Sequence, residues 1–272
     1  MHKTIYIVIL IVCQSLMTMA QEALPVGARS WALGNASATH SDVWSTMNNQ
    51  AGLGKLKQTS IGIYAENLYL LKDLSRGSFA VALPTKSGTV GLGINTWGGA
   101  FNRQQFGLAY GKVLAKTISI GIKLNYIVTN QPENYGKTRN FLVEAGIQYE
   151  ATKNMVIGLH IYNPNEVVLS QKLNETLPGI YKMGIGYKFS EKVNATVEGM
   201  NQTNLGFSLR SGLEYKPVEK YQFRMGLSTN PLNLGFGLGY TYKIMKIDMS
   251  ANYHTVLGFS PRLSMVVDLG KK

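Results

Sequence analysis

"TISIGIKLNYIVT", residues 117–129, alternates without a break. Ile118, Ile120, Ile122, Leu124, Tyr126 and Val128 share one parity, and Ser119, Gly121, Lys123 and Asn125 the other. A period of two is that of an extended strand, whose successive side chains point to opposite faces. "NLGFGLGYTY", 233–242, repeats the pattern: Leu234, Phe236, Leu238, Tyr240 and Tyr242 stand against Gly235, Gly237, Gly239 and Thr241. Working outward, fourteen such segments cover 59–65, 77–83, 88–96, 104–112, 117–129, 140–151, 155–163, 179–190, 193–201, 205–215, 221–228, 233–244, 247–254 and 261–269.

Alternation alone fits a soluble sandwich as well as a membrane barrel. Composition separates them. Charged residues make up 15% of the chain and hydrophobic ones 45%, with 29 Gly. A soluble domain carries about a quarter charged residues, so much of the outer surface is expected to face something other than water. The connections are asymmetric. One set is short and lysine-bearing ("PTKSG" 84–88, "LAK" 114–116, "ATKN" 151–154, "SEK" 190–192, "KPVEK" 216–220, "KIMK" 243–246). The other is mostly long (66–77, 131–140, 163–179, 254–261), with "NQTN" at 201–204 a short exception. Short turns at one end and long loops at the other are the asymmetry of an outer-membrane barrel with periplasmic turns. Aromatics near strand ends (Tyr64, Trp97, Phe101, Tyr126, Tyr149, Tyr162, Phe189, Tyr215, Tyr221, Tyr242, Tyr253) fit interfacial girdles, or ordinary cross-strand pairs. The fold class expected is all-β: a transmembrane antiparallel barrel of 14 strands, closed because an open edge in lipid would leave amides unpaired.

The amino-terminal residues divide the chain. Lys3, the apolar run 5–12 and Thr18-Met19-Ala20 read as a cleaved export signal over 1–20, too short to span a bilayer. Cys13, the single cysteine, falls inside it; lipid attachment there is disfavoured by the bulky Val12, and the mature chain is left without a thiol. Residues 21–58 then form a segment before the first strand, and 59–272 the barrel. The formal charge of +12 raises nucleic acid as a partner, but the lysines are scattered among turns, and no nucleic-acid role is expected. His40, His160 and His254 lack ligand spacing, no G-x-S-x-G or H-E-x-x-H occurs, and "GFGLG" at 235–239 lies within a strand, so no enzyme, metal site or cofactor is expected.

If the large apolar residues face lipid, the opposite parity lines the lumen: Lys123, Glu144, Gln148, Lys182, Lys188, Glu198, Arg210, Glu214, Arg224, Arg262 and Asp268, with glycine at most remaining positions. Glu144, Lys182, Glu198, Arg210, Glu214 and Arg224 fall in neighbouring rows, as cross-strand ion pairs or as a solvated wall. Glycine in a strand signals close approach of another group. The stretch "GARSWALGNASATHSDVWSTMNNQAGL", 27–53, has no alternation but holds Trp31, Leu33, Trp44 and Leu53 as packing residues. It is predicted to fold back as a plug into the room those glycines leave, with a periplasmic arm as the alternative. Ser41 or Asp42 is placed to cap a short helix over 43–48.

"PVGARSWALGNASATHSDVWSTMNNQAGL" resembles the amino-terminal signature of the PorV/PorQ family of Bacteroidota outer-membrane proteins, related in architecture to FadL-like fatty-acid transporters. Gly27, Ala28, Arg29, Gly34, Asn35, Ala36, Asp42, Asn49, Ala51, Gly52 and Leu53 carry the match, with Gln50 in place of the usual Pro. "GLHIYNP" at 158–164 and "GIGYKFSEKVNATVEG" at 184–199 are similar too. The resemblance implies a 14-stranded barrel with its amino-terminal segment in the lumen. It also implies a non-enzymatic accessory subunit of a protein secretion or assembly machine, with outer-membrane lipid and other outer-membrane or periplasmic proteins as partners, met through loops 66–76 and 164–178 and the lipid-facing wall. The alternative is a FadL-like transporter of hydrophobic small molecules. That role needs an apolar pocket and a lateral exit marked by a proline or bulge inside a strand, and no such mark is read here. A diffusive porin is disfavoured by an occupied lumen.

Overall fold

The computed structural model describes residues 25–98, 102–130, 136–170, 175–254 and 257–270. The expected export signal, Cys13 and Phe101 lie outside them. A short helix α1 (Ala28–Ala32) and two 3-10 turns (Val43–Thr46, Gln50–Lys55) precede the strands. The strands are β1 (Thr59–Asn67), β2 (Ser75–Pro84), β3 (Thr89–Trp97), β4 (Asn102–Ala115), β5 (Ile118–Asn130), β6 (Lys137–Thr152), β7 (Met155–Tyr162), β8 (Val168–Ser170), β9 (Glu175–Thr176), β10 (Ile180–Lys188), β11 (Val193–Gln202), β12 (Gly206–Val218), β13 (Tyr221–Ser228), β14 (Asn233–Tyr242), β15 (Met245–His254) and β16 (Gly258–Leu269).

All strands but β8 and β9 form one closed antiparallel barrel of fourteen, sealed where β1 pairs with β16. Closure leaves no sheet edge, the condition for a strand structure in hydrocarbon. The two parities separate as the sequence predicts. Outward positions such as Leu124 (49% exposed), Met183 (55%) and Phe236 (54%) are bare, while their alternates Lys123, Gly184 and Gly237 are covered. So apolar an exterior belongs in lipid.

Three aromatics depart from the girdle expectation. Tyr64, Trp97 and Tyr162 share the parity of Gly62, Asn95 and His160 and face inward, Tyr64 and Tyr162 buried and Trp97 half-buried against Arg76. Nearness to a strand end does not set which face a ring occupies; parity does. Loop 163–179, expected as one of the long connections, contains the paired strands β8 and β9, and its Leu177 joins the inward Ile127, Leu142, Tyr162, Ile180 and Met200 in an apolar cluster.

Pro261 is the larger correction. With β16 beginning at Gly258, this proline lies inside the strand, paired with Ala251 of β15. The β1–β16 ladder stops at Glu66 and Arg262, so on that side the strand runs on unpaired from Gly258 to Pro261, touched instead by Tyr69, whose amide donates to Ser260 Oγ (3.0 Å). Register shifts also occur between Val113 and Ala115, Glu150 and Thr152, and Tyr215 and Val218, all at the short-turn end.

Candidate functional site

Residues 25–56 lie inside the barrel, so the plug expectation holds and the periplasmic arm does not. The segment is built from local rules. Gly27 (φ 100) and Gly34 (φ 66) adopt backbone that L side chains rarely reach. At Gly34 an added Cβ would also overlap the carbonyls of Leu227 and Ser211 on the wall. Asp42, not Ser41, caps the turn Val43–Thr46: its carboxylate accepts from Trp44 N (2.9 Å), and Ser45 completes the capping box. The expected short helix over 43–48 is thus a 3-10 turn. Ser41 instead donates to Gln148 of the wall (3.1 Å).

Asn49 is the main clamp between segment and wall. Its Oδ1 caps the turn Gln50–Lys55 by accepting from Ala51 N, while Nδ2 donates to Ala38 O (2.6 Å) and to Leu159 O of β7 (3.1 Å). Only glycine on the facing strand leaves room, because a Cβ on Gly146 would occupy the place of Asn49 Oδ1. Gly52 is tight for a similar reason, pressed against His40 O and Ser45. Trp31, Trp44 and Leu53 are buried in an apolar cluster with Val26, Val43, Met47 and the inward Tyr64.

The charged lumen residues form separate buried groups, not one row and not a solvated wall. Glu198 pairs with Arg210 (3.4 Å), accepts from the segment amides of Ser37 and Ala38 (both 2.8 Å), and Arg210 donates to Asn35 O (3.1 Å). Glu214 accepts from Arg29 Nε (2.9 Å) and Arg224 Nε (2.6 Å), and Arg224 reaches on to Asp248 (2.6 Å). Glu144 meets Lys123 (3.0 Å), His160 (3.1 Å) and the plug's Gln50 (3.0 Å). Lys182 is buried opposite His160 in the β7–β10 register. A further group was missed: Glu66 pairs with Arg262 (3.0 Å) and Arg76 (3.6 Å), and Arg262 stacks on Trp31 at 3.4 Å from the ring centroid. Parity marks Glu66 as inward, two residues beyond Tyr64, because β1 runs on to Asn67 past the expected start of the loop. Each anion has at least one cation and so tolerates burial. His40 hydrogen-bonds Ser30 (3.1 Å), and burial, aided by the Arg29 charge, holds its imidazole down to about 3.

Among the described residues, three hollows bear on a path through the barrel, two against the segment and one outside the wall. Toward the long loops, a cavity of about 200 Å³ has Trp31 and Asn35 as its floor and Leu68, Leu71, Leu74 and Leu257 among its walls. Toward the short turns, a space of about 410 Å³ is lined by Arg29, Asp42, Lys57, Glu214, Lys246 and Asp248 among others. The third is on the lipid side: a groove of about 930 Å³ where the outward residues Ala65, Gly77, Thr96 and Ala251 are small, bordered by Phe236, Leu238, Met249 and Leu263. Arg262 and its neighbours on β16 separate the first hollow from the third.

No family model and no curated protein matches this chain. Solved structures do. The CymD monoaromatic hydrocarbon channel aligns with TM-score 0.69 at 13% identity over 91% of this chain and 98% of its own. A Pseudomonas aeruginosa FadL homologue aligns at 0.67, 12% identical, over 89% and 98%. The Pseudomonas putida toluene transporter TodX aligns at 0.64, 12% identical, over 89% and 96%. The fold is FadL-like. At such identities the likeness is one of fold. It shows neither membership of the PorV/PorQ group nor the expected accessory role in secretion.

Proposed function

We propose that this FadL-like barrel is an integral outer-membrane protein that admits small hydrophobic molecules, taking them up at the mouth cavity above the plug. The observation that carries the reading is that leucine-lined cavity closed below by Trp31. An apolar cavity of about 150 Å³ holds one benzene, so a space of this size suits a single ring, not an extended acyl chain. Neighbours of the same fold are named as channels for monoaromatic hydrocarbons or toluene.

The route is sideways. A straight path would take an apolar molecule past the plug into the charged hollow around Glu214, Arg224 and Asp248, where displacing water from ion pairs is costly. Through the wall, among the described residues, the layer around Arg262 borders both the mouth cavity and the lipid-side groove. The β1–β16 ladder ends there beside Pro261. Arg262, held by Glu66, Asn252 and Trp31, is the side chain that must swing away.

The test is uptake of radiolabelled toluene by cells expressing the chain, the double variant Leu71→Asp/Leu74→Asp, or neither. Faster uptake with the natural chain that falls to background in the variant is expected. Equal uptake in all three sinks the proposal.

A further inference from the structure

The barrel's excess positive charge has a location. Fourteen strands that start and finish at the same end need six turns there, and in this barrel each of the six carries an exposed lysine: Lys86, Lys116, Lys153, Lys192, Lys220 and Lys243. None of these six makes a salt bridge among the described residues; of the acids at the same end, Glu150, Glu191 and Asp268 are held by other lysines, Lys55 (2.9 Å), Lys188 (2.6 Å) and Lys246 (2.9 Å), and Glu219 stands exposed beside Lys220. Just inside this ring, the outward strand ends bear exposed aromatics: Tyr149, Tyr187 with Phe189, Tyr215, Tyr221 with Tyr240, and Tyr242, over whose ring the Lys243 ammonium lies at 5.4 Å.

An aromatic belt settles at the headgroup level of a bilayer. A lysine one turn beyond it extends its ammonium to phosphate height while its methylene stem stays along the apolar edge. Turn chemistry does not require this residue type, since glycine, asparagine, aspartate and serine serve such turns at least as well. A docked protein would need the lysines gathered on one side. They are instead spread around the circumference, where the only continuous partner is the surrounding lipid. We infer that the short-turn end is a phosphate-binding ring that selects anionic glycerophospholipids from the leaflet it meets, and so fixes the barrel's depth and orientation. The inference rests on insertion in a bilayer and not on what passes through the barrel.

Attraction between one lysine and an anionic surface corresponds to about a fivefold preference. The full chain is reconstituted in nanodiscs of phosphatidylethanolamine and phosphatidylglycerol in equal parts. It is then released into mild detergent, and the retained lipids are counted by native mass spectrometry. Phosphatidylglycerol is expected to be retained about fivefold over phosphatidylethanolamine, with the excess lost in high salt. The variant with all six lysines changed to Gln should lose the excess, and the six-Arg variant should keep it. If the six-Gln chain fails to fold, judged by heat-dependent gel mobility, Lys86→Gln/Lys116→Gln/Lys153→Gln replaces it and should lose about half. Equal retention of both lipids by the inserted natural chain overturns the inference. So does an excess unchanged in the Gln variants, or capture of an acidic protein with no lipid preference. Failure of the chain to enter nanodiscs at all would instead overturn the membrane reading beneath it.

Discussion

Glu214→Gln should loosen the plug without unravelling the barrel. The carboxylate is 1% exposed and sits between the guanidinium of Arg29, on the lumen segment, and that of Arg224, on the wall. Arg224 keeps Asp248 at 2.6 Å after the change, so its charge stays paired. Arg29 keeps only Asp42, at 3.6 Å, as a charge partner, and the single amide oxygen at 214 replaces the two carboxylate oxygens it shared with Arg224. Removing one partner of a buried pair costs about 3–5 kcal/mol. With 28% of the Arg29 side chain exposed, water offsets part of that loss, and the lower figure of about 3 kcal/mol applies. That is on the order of a hundredfold in the ratio of docked to released segment. Hydrogen exchange read by mass spectrometry on the full chain in detergent measures this ratio. The amides of Leu33 and Asn35, bonded to Arg29 O (3.2 Å) and Ser30 O (2.9 Å), should exchange about a hundredfold faster, while peptides of β5 stay unchanged. Adding Arg29→Met removes the stranded charge and should restore most of the protection. Unchanged exchange over 28–36, or equal acceleration in β5, would refute the reasoning.

The clamp at Asn49 makes a second expectation. Gly146→Ala places a methyl where Asn49 Oδ1 sits, overpacking that costs about 1–3 kcal/mol, so trypsin should cut at Lys57 faster than in the natural chain. Gly98→Ala, whose nearest neighbour is Ser75 O at 3.6 Å, should leave the cleavage rate alone. His40, in the lumen segment and not in a membrane-spanning strand, supplies a pH dependence. Its docked value is depressed to about 3, so its contribution is present above the free value and lost as pH falls below it. Between about pH 6.5 and about pH 5 the segment should lose ~2 kcal/mol of docking, seen as faster exchange over 37–48 after correction for intrinsic rates. His40→Gln should flatten that dependence.

Much of this molecule is local information. Whether Ile122 faces lipid and Lys123 the lumen follows from a two-residue period, and each strand states it independently of its neighbours. The same holds for Asp42 as a cap and for the glycines as sites of close approach, since cap and tight-contact chemistry is written in adjacent residues. What the strand does at its ends is not local. Tyr64 and Tyr162 stand near strand ends as girdle residues do, yet parity turns them inward against the plug and the β8–β9 loop. Pro261 became an interior strand residue because β15 extends to His254 and draws β16 along with it.

The lumen charges divide the same way. Sequence alone placed Glu144, Lys182, Glu198, Arg210, Glu214 and Arg224 on the inner face, which is a statement about parity. Only closure and the docked segment decided the partners: Arg29 reaches Glu214 across 185 positions, Glu66 reaches Arg262 across 196, and Glu198 holds two plug amides in place of a second cation. A local pattern can say which way a side chain points. Whom it meets depends on which strand the chain's return brings alongside, and that is fixed by ring closure and by the volume the plug must fill.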